Sequence, residues 1–381
     1  MKKIMILAAA AALVFASCAK NEITSVNEAN NHAITFGSYS PRNITKADAA
    51  NYASGATLIN GAEFDVYGWY TANATSFDGT NGTQFMDWYT VTYQTGGNTD
   101  GNGKTNLYPD GYRYWPTGAT PNYLSFYAYY PSNAGTITAP AAGLGAYSFT
   151  AEAAAADQVD FMVADVVKDQ TYNNANGNPG TNSTVDGEVH LTFRHMLTKV
   201  KFQFKTTADV ADATKSHIEI YLKDAKLHGI NNTGTLTSSF NGTATSTAWS
   251  AVSGAADYEV FILGADINNQ LLTDNAADAA SADADLFLMV PQAMVASTQA
   301  LELVWDVKDL VTGVTTENTA TVYFKSDLKD GDDPETANAL EIDWAKNMFV
   351  TYTITIGPKP ILFTAEAANW DAEQAGFFNV L

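Results

Sequence analysis

The sequence has little positive charge and almost no cysteine. Lysine and arginine number 20 against 41 aspartates and glutamates, so the formal net charge is −21. No basic stripe is present to neutralise phosphates, which excludes nucleic-acid binding and disfavours an anionic membrane surface. The single cysteine, Cys18, has no partner within the chain, which excludes an internal disulfide framework.

Apolar segments long enough to cross a bilayer are also missing. The nearest approach is at the N-terminus, where Lys2 and Lys3 precede an apolar stretch at 4–16 and small residues lead to Cys18. A lipoprotein signal peptidase cuts before a cysteine in this setting. We therefore predict a signal peptide at 1–17, lipidation of Cys18 and export. An ordinary secretory signal that happens to contain a cysteine is the alternative.

Motifs of catalytic sites are absent from the sequence. There is no Gly-x-Ser-x-Gly motif, no cysteine–histidine pairing and no pair of carboxylates that a motif sets apart from the others. The sequence therefore predicts a protein that is not an enzyme and needs no cofactor.

Metal sites are equally unsupported, because the five histidines are scattered. His195 shares the apolar face of a predicted strand with Leu191 and Phe193, which favours a core histidine over a ligand. Two segments, 98–104 and 327–335, offer oxygen ligands for calcium, but a glycine-rich hairpin and a solvated loop are the better interpretations. We expect no metal.

Apolar and polar residues alternate along much of the chain, as in strands with one buried face. The cleanest case is 199–205 (KVKFQFK), for which we expect one buried and one wet face. Similar segments lie at 63–69, 124–130, 217–222, 258–263, 286–290, 301–307, 319–324 and 350–356. Helical patterns are limited to 151–157 and 340–347. The sequence thus predicts an all-β protein of β-sandwiches with a few short helices.

A polar stretch at 172–187, rich in asparagine and glycine, is the best candidate for a domain boundary. It predicts an N-terminal domain at 32–170 and a C-terminal domain at 188–381.

Several stretches resemble the fimbrillin-like family, the subunits of type V pili. They occur in order at 34–36 (ITF), 45–47 (TKA), 114–116 (YWP), 124–131 (LSFYAYYP), 160–164 (DFMVA), 189–200 (VHLTFRHMLTKV), 344–347 (WAKN) and 352–356 (YTITI). The resemblance implies two transthyretin-like antiparallel β-sandwich domains. It also implies a lipoprotein precursor that reaches the cell surface, where a trypsin-like protease removes the lipid together with the first strand. A C-terminal strand of another subunit then fills the vacated groove.

The N-terminal parts required by this mechanism are present. Residues 32–39 form a plausible first strand with Ile34 and Phe36 on one face, within a lipidated leader at 18–46. Arg42 and Lys46 are the only lysine or arginine residues between Lys20 and Lys104, so a trypsin-like enzyme has two choices. A solvated turn is the alternative role for these two residues.

The C-terminus offers a donor strand. Apolar residues alternate from position 361 and the chain closes on an apolar end, so the donor candidates are Ile361, Phe363, Phe377, Phe378, Val380 and Leu381. An apolar terminus needs cover. The alternative is that this end completes the sheet of its own domain.

We therefore expect a structural subunit of a surface fimbria, with other fimbrial subunits, a maturation protease and the outer membrane as its partners. The alternative is a fimbrial tip protein or an anchored surface lipoprotein that binds glycan or protein ligands. Aromatic segments at 69–70, 88–89 and 112–115 are its candidate contacts, although such residues more often belong to the core.

Overall fold

The computed structural model describes residues 33–39, 62–92, 98–99, 105–106, 109, 111, 113–117, 120–132, 136–172, 187–262, 270–275, 277–278, 286–325, 342–357 and 362–369. Strands dominate these residues, which confirms the all-β prediction.

The N-terminal half of the described chain contains ten strands and one 3-10 helix, Ala155–Asp157. The strands are β1 (Thr35–Tyr39), β2 (Glu63–Thr71), β3 (Thr83–Thr92), β4 (Asn98–Thr99), β5 (Thr105–Asn106), β6 (Tyr123–Tyr130), β7 (Ile137–Thr138), β8 (Ala146–Thr150), β9 (Met162–Ala164) and β10 (Val167–Gln170).

The C-terminal half contains eleven strands and one short helix, α1 (Ala208–Ala211). The strands are β11 (Glu188–His195), β12 (Thr198–Thr206), β13 (Ile218–Phe240), β14 (Thr245–Ile262), β15 (Gln270–Leu271), β16 (Ala277–Asp278), β17 (Leu286–Met289), β18 (Ala300–Asp309), β19 (Thr315–Tyr323), β20 (Met348–Ile356) and β21 (Leu362–Asn369).

The strands form three large sheets and a small β4–β5 hairpin. Sheet one has the order β1-β11-β9-β6-β2-β3, with β10 paired to β6. Sheet two has the order β16-β12-β20-β21, with β17 paired to β12. Sheet three has the order β19-β18-β13-β8-β7, with β14 and β15 also paired to β13. Two pairings are parallel, β1 with β11 and β12 with β20, which alternation along single strands cannot reveal.

Sheets two and three enclose a hydrophobic core. Phe202 and Tyr352 of sheet two stack with ring centroids 5.3 Å apart, and they belong to one buried cluster with Leu222 and Leu303 of sheet three. Burial of apolar side chains on both inner faces is the main favourable term that holds such a sandwich together.

Sheet one is covered on both faces. Along β6, Phe126 and Ala128 belong to one buried cluster, while Tyr127 and Tyr129 belong to another. This second cluster also contains side chains of β8, β13 and β17, so it joins sheet one to the other two sheets. The continuous apolar run in β6 follows from burial on both sides.

The predicted domains contribute strands to each other's sheets. β8, from the predicted N-terminal domain at 32–170, pairs with β13 in sheet three. β11, from the predicted C-terminal domain at 188–381, pairs with β9 and β1 in sheet one. The division at 170 and 188 stays a prediction, while the chain passes from sheet one to sheet two between His195 and Thr198.

The helix predictions were largely wrong. Only Ala155–Asp157 of the segment 151–157 is helical, and α1 had no clear signal in the sequence. Residues 342–347 are not helical, because Trp344 exchanges two backbone hydrogen bonds with Gln292, each 2.9 Å long. Trp344 is also buried in the core of sheets two and three, so tertiary packing overrides the local helical pattern.

Candidate functional site

The first strand lies at the edge of sheet one. β1 pairs in parallel with β11 over five residues, from Thr35 opposite Glu188 to Tyr39 opposite Thr192. Its N-terminal end is also tied on the other side, because the Ile34 N–H donates to the Arg113 carbonyl at 2.7 Å. Parallel pairing is slightly less stable per residue than antiparallel pairing.

Two apolar side chains anchor β1. Ile34 and Phe36 are 0% and 1% exposed, and both belong to the buried cluster on one face of sheet one. The Phe36 ring meets the Phe126 ring edge-on at 5.4 Å between centroids. Val189 and Leu191 of β11 line the same cluster. Loss of β1 would expose this apolar surface, at about 25 cal/mol per Å².

Trp115 and Gly187 fasten the start of β1. The Gly187 carbonyl accepts a hydrogen bond from Trp115 Nε1 at 3.1 Å and one from the Thr35 N–H at 3.4 Å. Gly187 has a φ of +84°, and a Cβ there would lie 3.0 Å from Trp115 Nε1 and from the Tyr172 ring. A glycine is therefore required at this position. The sequence indicated only that Gly187 ends the polar stretch at 172–187, so this role was missed.

The predicted donor strand lies partly in sheet two. β21 pairs antiparallel with β20 over eight residues, and Phe363 stands opposite Ile354 in the register. Ala365 is buried and Ala367 packs against the same core. β21 is an edge strand, with β20 as its partner in the described sheet. In this monomer, β21 completes its own sheet, which was the alternative to a donor role.

The motifs at 160–164, 189–200 and 344–347 meet where the chain passes from sheet one to sheet two. His195 and Asp160 are 1% and 0% exposed, and His195 Nδ1 lies 2.5 Å from Asp160 Oδ2. This confirms the core position predicted for His195. A buried histidine is expected to find such a partner, because an unpaired polar group inside a protein is costly.

Lys199 differs from the sequence prediction. It was assigned to a wet face of β12, yet it is only 9% exposed. Its Nζ lies 5.1 Å from the centroid of the Phe349 ring, which covers it. Burial lowers the pKa of Lys199 below its ordinary value, while the charge of nearby Asp160 acts in the opposite direction. Alternation along β12 could not show that a neighbouring strand covers this position.

Backbone groups fix the same junction. The Met196 N–H donates to the Phe161 carbonyl at 2.8 Å, and the Met196 carbonyl accepts from Trp249 Nε1 at 2.8 Å. The Asn347 N–H donates to the Leu197 carbonyl at 3.0 Å. The connection between sheets one and two is therefore buried and hydrogen-bonded to three other segments.

The aromatic residues proposed for glycan stacking are largely packed in the interior. Trp69 and Trp115 are 6% and 2% exposed. Trp88 packs against the Tyr129 ring at 4.9 Å and donates its Nε1–H to the Pro140 carbonyl. Tyr89 packs at the edge of the core of sheet one, beneath the Arg113 guanidinium. These contacts favour packing in the core over stacking on glycans as the role of these aromatic residues.

Several predicted residues lie outside the described part of the chain: Cys18, Arg42, Lys46, Ile361, Phe377, Phe378, Val380 and Leu381. Of the two calcium candidates, the segment 327–335 also lies outside it, whereas Asn98 and Thr99 pair with β5 as expected for a hairpin. Within the described residues, no group of three or more histidine, cysteine or acidic side chains is arranged to hold a metal ion.

Comparisons with known proteins identify the family of the chain and its fold. The family model described as fimbrillin-like matches residues 45–370 of the chain. The chain therefore belongs to the fimbrillin-like family, whose members are structural subunits of fimbriae. Among curated proteins, no sequence matches this one. None of the helices in the described residues has the length and apolarity needed to traverse a membrane.

Solved structures supply the fold relationship. A fimbrial protein from Bacteroides vulgatus shares 17% identity with a TM-score of 0.57, over 89% of this chain and 100% of that one. A candidate cell adhesion protein from Bacteroides uniformis shares 14% identity with a TM-score of 0.46, over 89% and 99%. The tip fimbrial protein Mfa3 from Porphyromonas gingivalis, truncated at its C-terminus, shares 13% with a TM-score of 0.36, over 82% and 95%. The first likeness shows a shared fold.

Proposed function

We propose that this chain is a structural subunit of a surface fimbria that assembles by protease-triggered donor-strand exchange. The observation that carries the proposal is the position of β1. Phe36 in β1 and Ile34 directly before it are fully buried, yet β1 is an edge strand whose hydrogen-bonded neighbour along the sheet is β11. Such a strand can leave without breaking the order of the sheet behind it, and an incoming strand can take its place.

The location of the basic residues supports a proteolytic trigger. β1 ends at Tyr39 and β2 begins at Glu63, and both Arg42 and Lys46 lie between them in the sequence. A single cut after either residue separates β1 covalently from the other strands. β1 is then held by non-covalent contacts alone and can be exchanged.

The precursor, on this proposal, is exported as a lipoprotein. Cys18 carries the lipid and holds the chain at the outer membrane until the cut releases the body of the subunit. An attachment made by acyl chains on Cys18 is lost when the N-terminal segment is removed. The neighbour's C-terminal strand, including Phe363 and the apolar end at 377–381, then covers the surface that Ile34 and Phe36 leave behind.

The test is a double substitution, Arg42→Ala with Lys46→Ala, in cells that assemble the fimbria. We expect the variant to fold and reach the surface but to form no polymer, because β1 stays covalently attached. Lys215→Ala, which removes a basic side chain 61% exposed on a loop, is the matched control and should polymerise normally. Normal polymer from the double variant would contradict the proposal.

A further inference from the structure

Thr35 lies between Ile34 and Phe36, and its buried side chain makes no hydrogen bond. It is 5% exposed, and its hydroxyl oxygen is buried without a hydrogen-bond partner. Because side chains alternate along a strand, Thr35 points away from the cluster that holds Ile34 and Phe36. In the register it stands opposite Glu188.

The unpartnered hydroxyl reduces the stability with which β1 pairs with β11. A buried polar group that makes no hydrogen bond costs free energy, whereas an apolar group of the same shape does not. Thr206 shows the contrast within the same chain. It is 1% exposed, but its hydroxyl donates to the Ile356 carbonyl at 2.8 Å.

A second buried polar group without a hydrogen bond lies two pairs further along the β1–β11 register, on the same face as Thr35. Gly37, which has no side chain, stands opposite His190. His190 Nε2 is buried and makes no hydrogen bond, and the Glu188 carboxylate lies 3.6 Å from it. A side chain with a hydroxyl at position 37 would place a polar group on the same face as His190.

The chain contains a segment that differs from β1 at these two positions. Residues 34–37 read Ile-Thr-Phe-Gly, and residues 361–364 read Ile-Leu-Phe-Thr. The isoleucine and phenylalanine keep their spacing. Leucine replaces the threonine whose hydroxyl is unmet, and threonine replaces the glycine opposite His190.

We propose that residues 361–364 of a second copy occupy the positions of residues 34–37, parallel to β11, and that Thr35 makes β1 the weaker occupant. The inference rests on the proposed strand exchange and adds its register and its direction. Leu362 takes the place of Thr35 beside Glu188, and Thr364 takes the place of Gly37 beside His190. β21 can leave sheet two because it is an edge strand there.

The first experiment measures the hold of β1 in the full chain by hydrogen–deuterium exchange of residues 33–39. Thr35→Val should slow this exchange about tenfold, because it removes the unmet hydroxyl and keeps the shape. Thr71 is a matched control, since it is 4% exposed with an unpartnered hydroxyl in β2. Thr71→Val should leave exchange at 33–39 unchanged. Unchanged or faster exchange in Thr35→Val would overturn the inference.

The second experiment adds fluorescent peptides of residues 358–369 to the chain after limited trypsin cleavage between β1 and β2, so that β1 is free to exchange, and follows capture by anisotropy. The wild-type peptide should be captured about tenfold more tightly than the Leu362→Thr peptide, and the Thr35→Val chain should capture the wild-type peptide more weakly than the wild-type chain does. Equal capture of both peptides would overturn the register and leave the proposed function intact. Capture of neither peptide would count against the donor role and the register together.

Discussion

The two ends of β11 are held in different ways. At its start, β11 supports β1 through parallel pairing and two apolar anchors, Ile34 and Phe36. At its end, the buried His195–Asp160 contact and several backbone hydrogen bonds hold the chain where it passes from β11 to β12 of sheet two. The first end carries an edge strand, which on the proposed function one cut releases, whereas the second is hydrogen-bonded to three other segments. On the proposed function, this difference separates the strand that is exchanged from the connection that stays in place.

The largest expected effect comes from breaking the fixed end. Asp160→Ala leaves His195 buried without its carboxylate partner, so we expect the free energy of unfolding to fall by about 3–5 kcal/mol. Denaturant unfolding measures this loss. The control is Asp165→Ala, which removes the exposed contact with Arg194 at 2.7 Å and should cost under about 1 kcal/mol. Equal losses in the two variants would contradict a special role for the buried pair.

Truncation of an anchor at the exchangeable end comes next. Phe36→Ala removes a fully buried ring and should weaken the hold of β1 by about 3 kcal/mol. Hydrogen exchange of residues 33–39 should therefore accelerate about a hundredfold. The amides of β12 should change far less, since Phe202 and its neighbours keep their packing. Equal acceleration in β1 and β12 would show that β1 opens only with the whole protein.

Alkaline pH should lower the stability of the packing between sheet one and the other two sheets, because a buried tyrosine lies there. Burial raises the pKa of Tyr127 to about 12, and its hydroxyl donates to Ser238 Oγ at 2.8 Å. The stability that its protonated form contributes is complete below pH 10 and is lost as the pH rises toward 12, up to about 2.7 kcal/mol. Tyr127→Phe should flatten this decline in unfolding experiments between pH 9 and 12. Tyr323→Phe, at a tyrosine that is 42% exposed, should leave it unchanged.

The smallest effect tests the fastening of β1. Trp115→Phe keeps a ring near Phe126 but removes the hydrogen bond to the Gly187 carbonyl. We expect a loss of about 0.5–1.5 kcal/mol in the hold of β1, measured as faster hydrogen exchange at residues 33–39. If exchange there were unchanged, the hydrogen bond would not contribute to the fastening.

Much of the fold could be predicted because its signals are local. Alternation located β2, β6, β12, β18 and β20, and it placed Ile34, Phe36 and His195 on buried faces. The sequence could not reveal which strands become neighbours, since pairing depends on distant residues. It therefore missed the parallel β1–β11 pair, the burial of Lys199 beneath Phe349, and the role of Gly187 as an acceptor for two segments.

The candidate site was predicted unevenly for the same reason. The first strand and its anchors follow from a short apolar pattern, and the structure places them at a sheet edge. The unmet hydroxyl of Thr35 depends on what surrounds it in three dimensions, so no sequence pattern could show it. The cleavage and lipidation positions, Arg42, Lys46 and Cys18, lie outside the described residues and stay predictions.

N-terminal sequencing of subunits taken from assembled fimbriae tests the central claim most directly. Cleavage after Arg42 predicts a mature chain that begins at Asn43, and cleavage after Lys46 predicts one that begins at Ala47. In both cases Ile34 and Phe36 are absent from the polymer, and their places are open to a neighbour's strand. Assembled subunits that begin at Cys18 and retain β1 would contradict the account.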